Sequence, residues 1–239
     1  MGVALSIITV NLNNRKGLLE TAASIKKIRR NGDEIEAHLI DGGSSDLSNA
    51  DWDYLSLIFD SIESEKDRGI FDAMNKGLKK ANASHAMMLN SGDLLREEMR
   101  KHFSLIRFQR NTVYVYNWVA NERVCHPKPI SDSKYGYFPF NHQAMIIPAE
   151  FQYDANLKFL GDLDLLLYLS NIGLKFEYVN VKAVDYEGGG VSSKRSVEKL
   201  KEKFAVIKKH CGFIGLLKAG FVQGLVLIGL TNIGKQREC

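Results

Sequence analysis

Apolar runs of strand length alternate with segments of helical apolar spacing through the first half of the chain. Residues 5–10 and 35–40 form two such runs, and between them apolar residues recur at positions 18, 22, 25 and 28 as far as Gly32, a typical C-cap. A helix around residues 52–58, a strand at 61–65 and a helix with apolar residues at positions 74, 78 and 81 lead into the run 86–89. Strands that alternate with helices predict a parallel sheet with right-handed crossovers.

The pattern changes in the middle of the chain, where short strands follow one another without full helices between them. We expect strands at residues 113–118, 123–126 and 143–147, then a helix at 162–172 and two strands at 176–180 and 183–186. A glycine-rich loop at 188–192 completes this part. The sequence predicts an α/β fold, with a Rossmann-like, mostly parallel central sheet flanked by helices and a smaller mixed β extension.

The composition shifts twice after residue 193. Residues 194–210 contain seven Lys or Arg and two Glu, and residues 211–230 contain one charge, Lys218, among aliphatic residues, two Phe and five Gly. We therefore predict one domain over residues 1–193 and a basic, then apolar, C-terminal helical appendage over 194–239. Three interpretations of the appendage stay open: helices packed on the domain, a segment that sits on an anionic membrane surface, and a bilayer-spanning helix.

Composition excludes some classes of function. A net charge of +4 is mild, and aromatic residues are not interleaved with Lys and Arg as a nucleic-acid groove requires, so we expect no nucleic-acid partner. The apolar start at residues 3–10 is too short for the apolar region of a signal peptide, and no basic stretch precedes it. We expect a cytoplasmic protein, or one that is peripheral on the cytoplasmic face of the inner membrane.

Carboxylates follow the ends of two predicted strands. Asp41 precedes a turn of Gly and Ser residues, and Asp93 ends the turn that follows the run 86–89. A lone Asp after a strand is often only a cap or turn former. Because ligands of open α/β sheets bind beyond the carboxyl ends of the strands, and small residues let a bulky group approach, the two together indicate a sugar-nucleotide site. Asp93 offers a hard oxygen ligand to Mg²⁺ or Mn²⁺.

Four segments of the sequence carry a resemblance to a known family. They are SIITVNLN at residues 6–13, IDGGSSD at 40–46, EKDRGIFDAMNKG at 65–77 and LNSGD at 89–93. In these segments, and in their order, the chain resembles the family 2 glycosyltransferases with the GT-A fold. More narrowly, it is similar to the branch that builds bacterial surface polysaccharides, including colanic-acid and O-antigen type transferases. Blocks at His142-Gln143 and Gly189-Gly190-Val191-Ser192 are also similar, and the resemblance thins beyond Lys194.

The resemblance implies a nucleotide site and a metal site. The implied nucleotide-binding residues are Thr9, Val10, Leu12, Asp41, Asp67, Asn75 and Ser91. Asp93 would bind the divalent metal ion, Mn²⁺ or Mg²⁺. The chain departs from the family at Asn90 and Gly92, where the usual Asp-x-Asp motif is acidic, and at Leu12, where relatives often have an aromatic ring that stacks on uracil.

The resemblance also implies a reaction. Asp162 matches the catalytic base, and a helix N-terminus favours the ionised carboxylate that a base must have; Asp164 is the alternative acid. His142 and Gln143 would position the acceptor or the diphosphate, the alternative being a buried structural histidine. The implied activity is inverting transfer of a sugar from a nucleotide-sugar donor, UDP-hexose above all, to a glycan or polyprenyl-diphosphate-linked acceptor. Two rival interpretations stay open: a sugar nucleotidyltransferase, and a catalytically silent nucleotide- or glycan-binding module.

Overall fold

A computed structural model of the chain describes residues 4–29, 35–188 and 196–227. Short 3-10 helices occur at Ile130–Tyr135 and His142–Ala144. The strands and helices, in chain order, are β1 Leu5–Asn11, α1 Arg15–Ile28, β2 Ile35–Asp41, α2 Asn49–Ser56, β3 Ser61–Ser64, α3 Ile70–Lys80, β4 His85–Met88, β5 Leu94–Leu95, α4 Glu98–Leu105, β6 Thr112–Ala120, β7 Arg123–Cys125, β8 Met145–Pro148, α5 Gly161–Asn171, β9 Lys175–Asp185 and α6 Val197–Leu227.

The strands of the described residues form one sheet in the order β3-β2-β1-β4-β8-β6-β9-β5, with β7 beside β6. The first half, β3-β2-β1-β4, is parallel throughout. In the second half, β8 is antiparallel to both β4 and β6, and β6 is parallel to β9. The predicted α/β fold, a parallel sheet with helices and a smaller mixed extension, is confirmed.

The central strand β1 is buried on both faces, as an apolar run in a parallel sheet requires. Helix α3 covers one of these faces at very short range. A Cβ added at Gly77 would lie 2.2 Å from Cγ2 of Ile8, so the helix can approach the strand only where the side chain is absent. This contact places the start of α3 beside the carboxyl ends of β1 and β2.

Several elements differ from the sequence prediction, β9 and α4 most clearly. The two strands expected at residues 176–180 and 183–186 are one strand, β9, with an irregularity in its pairing to β6: Tyr116 lies opposite Val179 and Asn117 opposite Lys182. The side chain of Asn117 donates to Asn180 Oδ1 at 2.9 Å, which holds this bulge. Helix α4, which buries only Met99, was not predicted.

The C-terminal appendage is helical as far as residue 227 and interrupted at Gly212, which has φ +67° and ψ −173°. Its first part packs on α5, where Val206 and Ile207 are buried. Within residues 4–29, 35–188 and 196–227, no helix is long and apolar enough to cross a bilayer. Gly32, the block 189–192, the predicted boundary at residue 193 and the segment 228–239 lie outside the described residues.

Candidate functional site

Three loops at the carboxyl ends of β1, β2 and β3 meet at one slot. A Cβ added at Gly42 would lie 3.2 Å from Leu12 Cδ1 and 3.1 Å from Asp67 Oδ2, so all three residues border the same space. Leu12 is 63% exposed. Lys76 from α3 binds Asp67 Oδ1 at 2.7 Å and holds that carboxylate at the slot. The structure thus brings Leu12 and Asp67, two of the predicted nucleotide-binding residues, together around a glycine.

Asp41 lies beneath the slot and is completely buried. Its carboxylate accepts hydrogen bonds from Asn11 Nδ2 at 2.9 Å, from Ser64 Oγ at 2.6 Å and from the hydroxyl and backbone N–H of Ser44. Burial alone would raise the pKa of Asp41, but the hydrogen bonds from Ser44, Ser64 and Asn11 outweigh it and lower the pKa. Asp41 therefore stays ionised and organises the loops that border the slot.

Polar atoms without partners mark the ends of β1 and β4. Thr9 Oγ1, Asn11 Oδ1 and Asn90 Oδ1 are buried and have no hydrogen-bond partner within the described part of the chain. Thr9 and Val10 are both buried side chains, and the Val10 carbonyl accepts from the Ser91 N–H at 3.1 Å. Buried unpaired polar atoms are rare in folded proteins, and their grouping here favours a polar site at this edge of the sheet.

The turn of residues 90–93 is fixed by helix α1 through two residues that the sequence did not single out. Thr21 Oγ1 accepts from the Gly92 N–H at 3.0 Å and donates to the Asp93 carbonyl at 2.8 Å. Asn14, the N-cap of α1, donates to the Ser91 carbonyl at 3.0 Å. In the sequence, Asn14 could be recognised as an N-cap candidate and Thr21 as a polar residue on the apolar face of the helix. Only the packing of α1 shows that both side chains bind the turn of residues 90–93.

A second carboxylate, Glu187, lies beside Asp93. Its backbone N–H donates to Asp93 Oδ1 at 3.1 Å, and its Oε2 lies 2.3 Å from where a Cβ on Gly92 would stand. Gly92 has φ +106°, a conformation that suits glycine. Burial raises the pKa of Asp93 to about 7, the Glu187 N–H opposes this shift and the Glu187 charge adds to it. Sequence reasoning missed Glu187, which stands 94 residues further along the chain.

Asn75 and His142 are both turned toward Tyr153. The Asn75 side chain donates to the Tyr153 carbonyl and accepts from its N–H, both at 2.8 Å, which uses its polar atoms away from the slot. His142 Nε2 lies 2.7 Å from the Tyr153 hydroxyl, and burial lowers the pKa of His142 to about 4. A buried neutral imidazole offers no positive charge to a diphosphate at pH 7. Gln143 is also buried, beside His142 in the same 3-10 turn.

Asp162 lies in the first turn of α5 and is half-buried. Burial raises its pKa to about 6, against hydrogen bonds from the Leu163 N–H and from its own N–H that lower it. The charges of Asp93 and Asp162 both add to the rise that burial causes in the pKa of Tyr186.

Asp164 serves a different purpose. Its buried carboxylate contacts Lys209 Nζ at 2.9 Å and His210 Nε2 at 2.7 Å, both on α6. Asp164 therefore anchors the C-terminal helix α6 to α5. In the described part of the chain, the Asp162 carboxylate accepts a hydrogen bond from the Leu163 N–H instead of contacting α6.

A cavity of about 600 Å³ lies on another part of the molecule. It is formed by α4 and the β6–β9 pair, with Lys101, His102, Asn117 and His126 in its wall. None of the predicted site residues lines it. The convergence of side chains at the strand ends, rather than this cavity, locates the candidate site.

Solved structures with the same fold include sugar transferases. The chain superposes on Staphylococcus aureus TarS residues 1–349 with a TM-score of 0.69 and 13% identity, over 98% of this chain and 75% of that one. The same protein in complex with UDP-GlcNAc gives 0.68 and 15%, over 87% and 66%. The mannosyltransferase PcManGT of Pyrobaculum calidifontis, in complex with GDP-Man and Mn²⁺, gives 0.63 and 12%, over 96% and 76%. At these identities the likeness shows the GT-A fold alone.

Sequence comparison gives the family. Two curated relatives, uncharacterized glycosyltransferases of Mycobacterium tuberculosis strains H37Rv and CDC 1551, are each 40% identical over 91 residues. That match covers 37% of this chain and 33% of the length of each relative. The family model described as glycosyl transferase family 2 matches residues 6–152, more than half of the chain. The chain therefore belongs to glycosyl transferase family 2.

Proposed function

We propose that this glycosyltransferase moves a hexose from a UDP-sugar to a hydroxyl of a glycan or polyprenyl-diphosphate-linked acceptor, with inversion, in the synthesis of a bacterial surface polysaccharide. The observation that carries the proposal is the hydrogen bond from the Glu187 N–H to Asp93 Oδ1 at 3.1 Å, which brings two acidic residues together beyond the end of β4. Asp162, in the first turn of α5, is the acid that we propose as the base.

The donor part of the proposal rests on the slot formed by Leu12, Gly42 and Asp67. Proteins of the same fold hold UDP-GlcNAc in TarS and GDP-Man in PcManGT, which supports a nucleotide-sugar donor for this chain. The test is to incubate the protein with UDP-, GDP- and dTDP-sugars and to measure nucleotide release. Release from UDP-sugars alone supports the proposal, and release from GDP-mannose alone overturns its donor.

In the proposed chemistry, the acceptor hydroxyl attacks the anomeric carbon from the face opposite the nucleotide. The new bond joins the acceptor oxygen to that carbon as the bond to the diphosphate oxygen breaks, which inverts the configuration. Asp162 accepts the hydroxyl proton, and its pKa of about 6 leaves it ionised at neutral pH while keeping it basic enough for this transfer.

A divalent metal ion fits the residues around Asp93. Mg²⁺ is commonly held by one or two carboxylates together with waters and substrate phosphates, and Asp93 with Glu187 provides two. Among the described residues no group of three His, Cys, Asp or Glu side chains could hold a metal ion by itself. Mn²⁺ or Mg²⁺, when bound, would neutralise the charge of the departing diphosphate.

Two rival functions predict different results when the panel is extended by nucleoside triphosphates with sugar phosphates. A sugar nucleotidyltransferase would release pyrophosphate from a nucleoside triphosphate and a sugar phosphate. A silent binding module would bind UDP and release nothing. The half-buried Asp162 with a raised pKa favours an enzyme over the silent module, because a binding module gains nothing from a carboxylate held near its titration point.

We expect Asp41→Ala to weaken UDP binding about tenfold, as loss of a buried hydrogen-bonded group typically costs, with a smaller effect on kcat. The physical reason is that Asn11, Ser44 and Ser64 would lose their common partner and release the loops at the slot. Calorimetry with UDP measures the effect. Asp53→Ala, an exposed site on α2, is the control, and equal affinities for both variants would contradict the role given to Asp41.

For the appendage, we propose reversible binding to an anionic membrane surface on the cytoplasmic side. Beyond Gly212, Phe213, Ile214, Leu217 and Phe221 are 59% to 69% exposed. Their opposite side faces the domain, where Ala219 is buried and Gln223 donates to the Tyr135 carbonyl at 2.9 Å. An outward apolar face beside exposed lysines is typical of interfacial helices.

The appendage proposal predicts that the full chain floats with anionic vesicles at low salt and dissociates at high salt. Lysines near the surface contribute about 1 kcal/mol each, and this contribution is screened. A variant with Phe213, Leu217 and Phe221 all changed to Ser should lose flotation and keep its melting temperature, since these side chains are exposed. The matched control changes the exposed Leu57 and Leu105 to Ser. Equal flotation of the two variants would refute the proposal.

A further inference from the structure

One carboxylate of helix α6, that of Glu202, contacts the segment that leads into α5. Glu202 accepts hydrogen bonds from three consecutive backbone N–H groups, those of Lys158, Phe159 and Leu160, at 2.9, 2.8 and 2.6 Å. These residues immediately precede α5, and Asp162 follows two residues later. Three short hydrogen bonds to one carboxylate fix the path of the chain that delivers the base.

The N-cap position of α5 supplies no capping side chain of its own. Its N-cap is Leu160, which makes no side-chain capping bond. Leucine is among the poorest N-cap residues, and a negative charge near a helix N-terminus is favourable. Gly161 adds a second constraint, since a Cβ there would lie 2.7 Å from the ring of Phe71. The position of Asp162 therefore depends on neighbours from α3 and α6.

A second contact between α6 and α5 helps to fix the position of Glu202. About two turns further along α6, Lys209 and His210 bind the Asp164 carboxylate. Between these anchors Val206 packs against Leu163 and Leu167 of α5. The first turn of α5 is thus held on both sides of Asp162 by the same helix.

We propose that Glu202 is a positioning residue for the base Asp162, acting through the backbone of residues 158–160, so that the C-terminal helix is part of the catalytic apparatus. This inference rests on the proposed function of Asp162. It gives the basic helix a role in the chemistry that is independent of any membrane contact.

The charges around Asp162 make the proposal measurable. After burial, the charge of Asp162 raises the pKa of Tyr153, in the loop before α5, and that of Tyr186, in the segment after β9. From α6, the Lys199 charge lowers the pKa of Asp162 and the Glu202 charge raises it. Removal of the Glu202 charge should therefore shift the acid limb of the pH–rate profile downward as well as lower kcat.

The experiment compares Glu202→Ala and Glu202→Gln with Glu198→Ala, a change of an exposed acid on the same helix. Hydrogen exchange of a peptide covering residues 156–164 is measured first, because it needs no activity. Glu202→Ala should raise exchange at residues 158–160 by tenfold or more, on the order expected for loss of hydrogen-bond protection. Glu202→Gln should raise it less, since the amide oxygen still accepts, and Glu198→Ala should not change it.

Kinetics then separate positioning from general damage. Glu202→Ala should lower kcat by roughly 10-fold to 10²-fold, the effect of a small misplacement, with UDP affinity and donor KM unchanged and partial rescue in Glu202→Gln. Unchanged exchange at 158–160, or equal losses of kcat and UDP affinity, would overturn the proposal. If the wild type turns over no donor in the panel while exchange rises as expected, the proposed function fails, and the proposed role with it, while the contact itself is established.

Discussion

Asp162→Asn should lower kcat by roughly 10² to 10⁴, the usual contribution of a positioned general base, while UDP affinity changes less than about twofold. The amide has the size of the carboxylate but cannot accept the acceptor proton. Turnover by the wild type should rise with pH through about 6, because the base acts in its ionised form and burial raises the pKa of Asp162 to that value. Single-turnover rates between pH 5 and 8, with calorimetry for UDP, measure both effects.

Asp164→Asn is the matched comparison for this prediction, since it changes the other acid in the same helical turn. It weakens the contacts with Lys209 and His210, so its main effect should be a lower melting temperature. A larger loss of kcat at 25 °C in the folded Asp164 variant than in the Asp162 variant would show that the base is assigned to the wrong acid.

Asp93→Asn should abolish measurable Mn²⁺ binding and with it the metal-dependent part of turnover. Asn90 and Gly92 carry no charge, so the turn has no carboxylate left. Glu187→Gln should weaken Mn²⁺ binding by about 10-fold to 10²-fold, the range for residues that support a metal ligand. Manganese binding followed by calorimetry or electron paramagnetic resonance gives a readout that does not depend on catalysis.

The control for the metal prediction is Glu122→Gln, which removes an exposed carboxylate at the β6–β7 turn. It should bind Mn²⁺ as the wild type does. Wild-type Mn²⁺ affinity in the Asp93 variant would place the metal elsewhere, and wild-type affinity in the Glu187 variant would limit the metal site to Asp93.

Secondary structure could be predicted from the sequence where the apolar pattern is strong. The parallel strands β1 and β2 were found within a residue of their ends, since a strand buried on both faces is a continuous apolar run. Helix α4 was missed; it is short and buries only Met99. The break predicted near residues 181–182 is a bulge, and only the pairing of β9 with β6 distinguishes a bulge from a loop.

The roles of individual residues in the candidate site were harder to predict from the sequence. The sequence placed Asp41, Asn75 and His142 in contact with ligand, and the structure shows their polar atoms bound to neighbouring loops, which leaves direct ligand contact by them a prediction. A polar residue at a strand end can bind a ligand or hold the loop that does. Sequence alone does not distinguish these cases, because both require the same residue type at the same place.

The sequence by itself determined the alternation of strands and helices as far as β4 and the α/β class. These are local properties: apolar periodicity, turn residues and the end of a run are all written within some ten neighbouring residues. The tertiary structure decided the partners. Glu187 joins Asp93 across 94 residues and Glu202 holds residues 158–160 from more than 40 residues away, because packing and sheet register, which no local pattern encodes, bring these segments together.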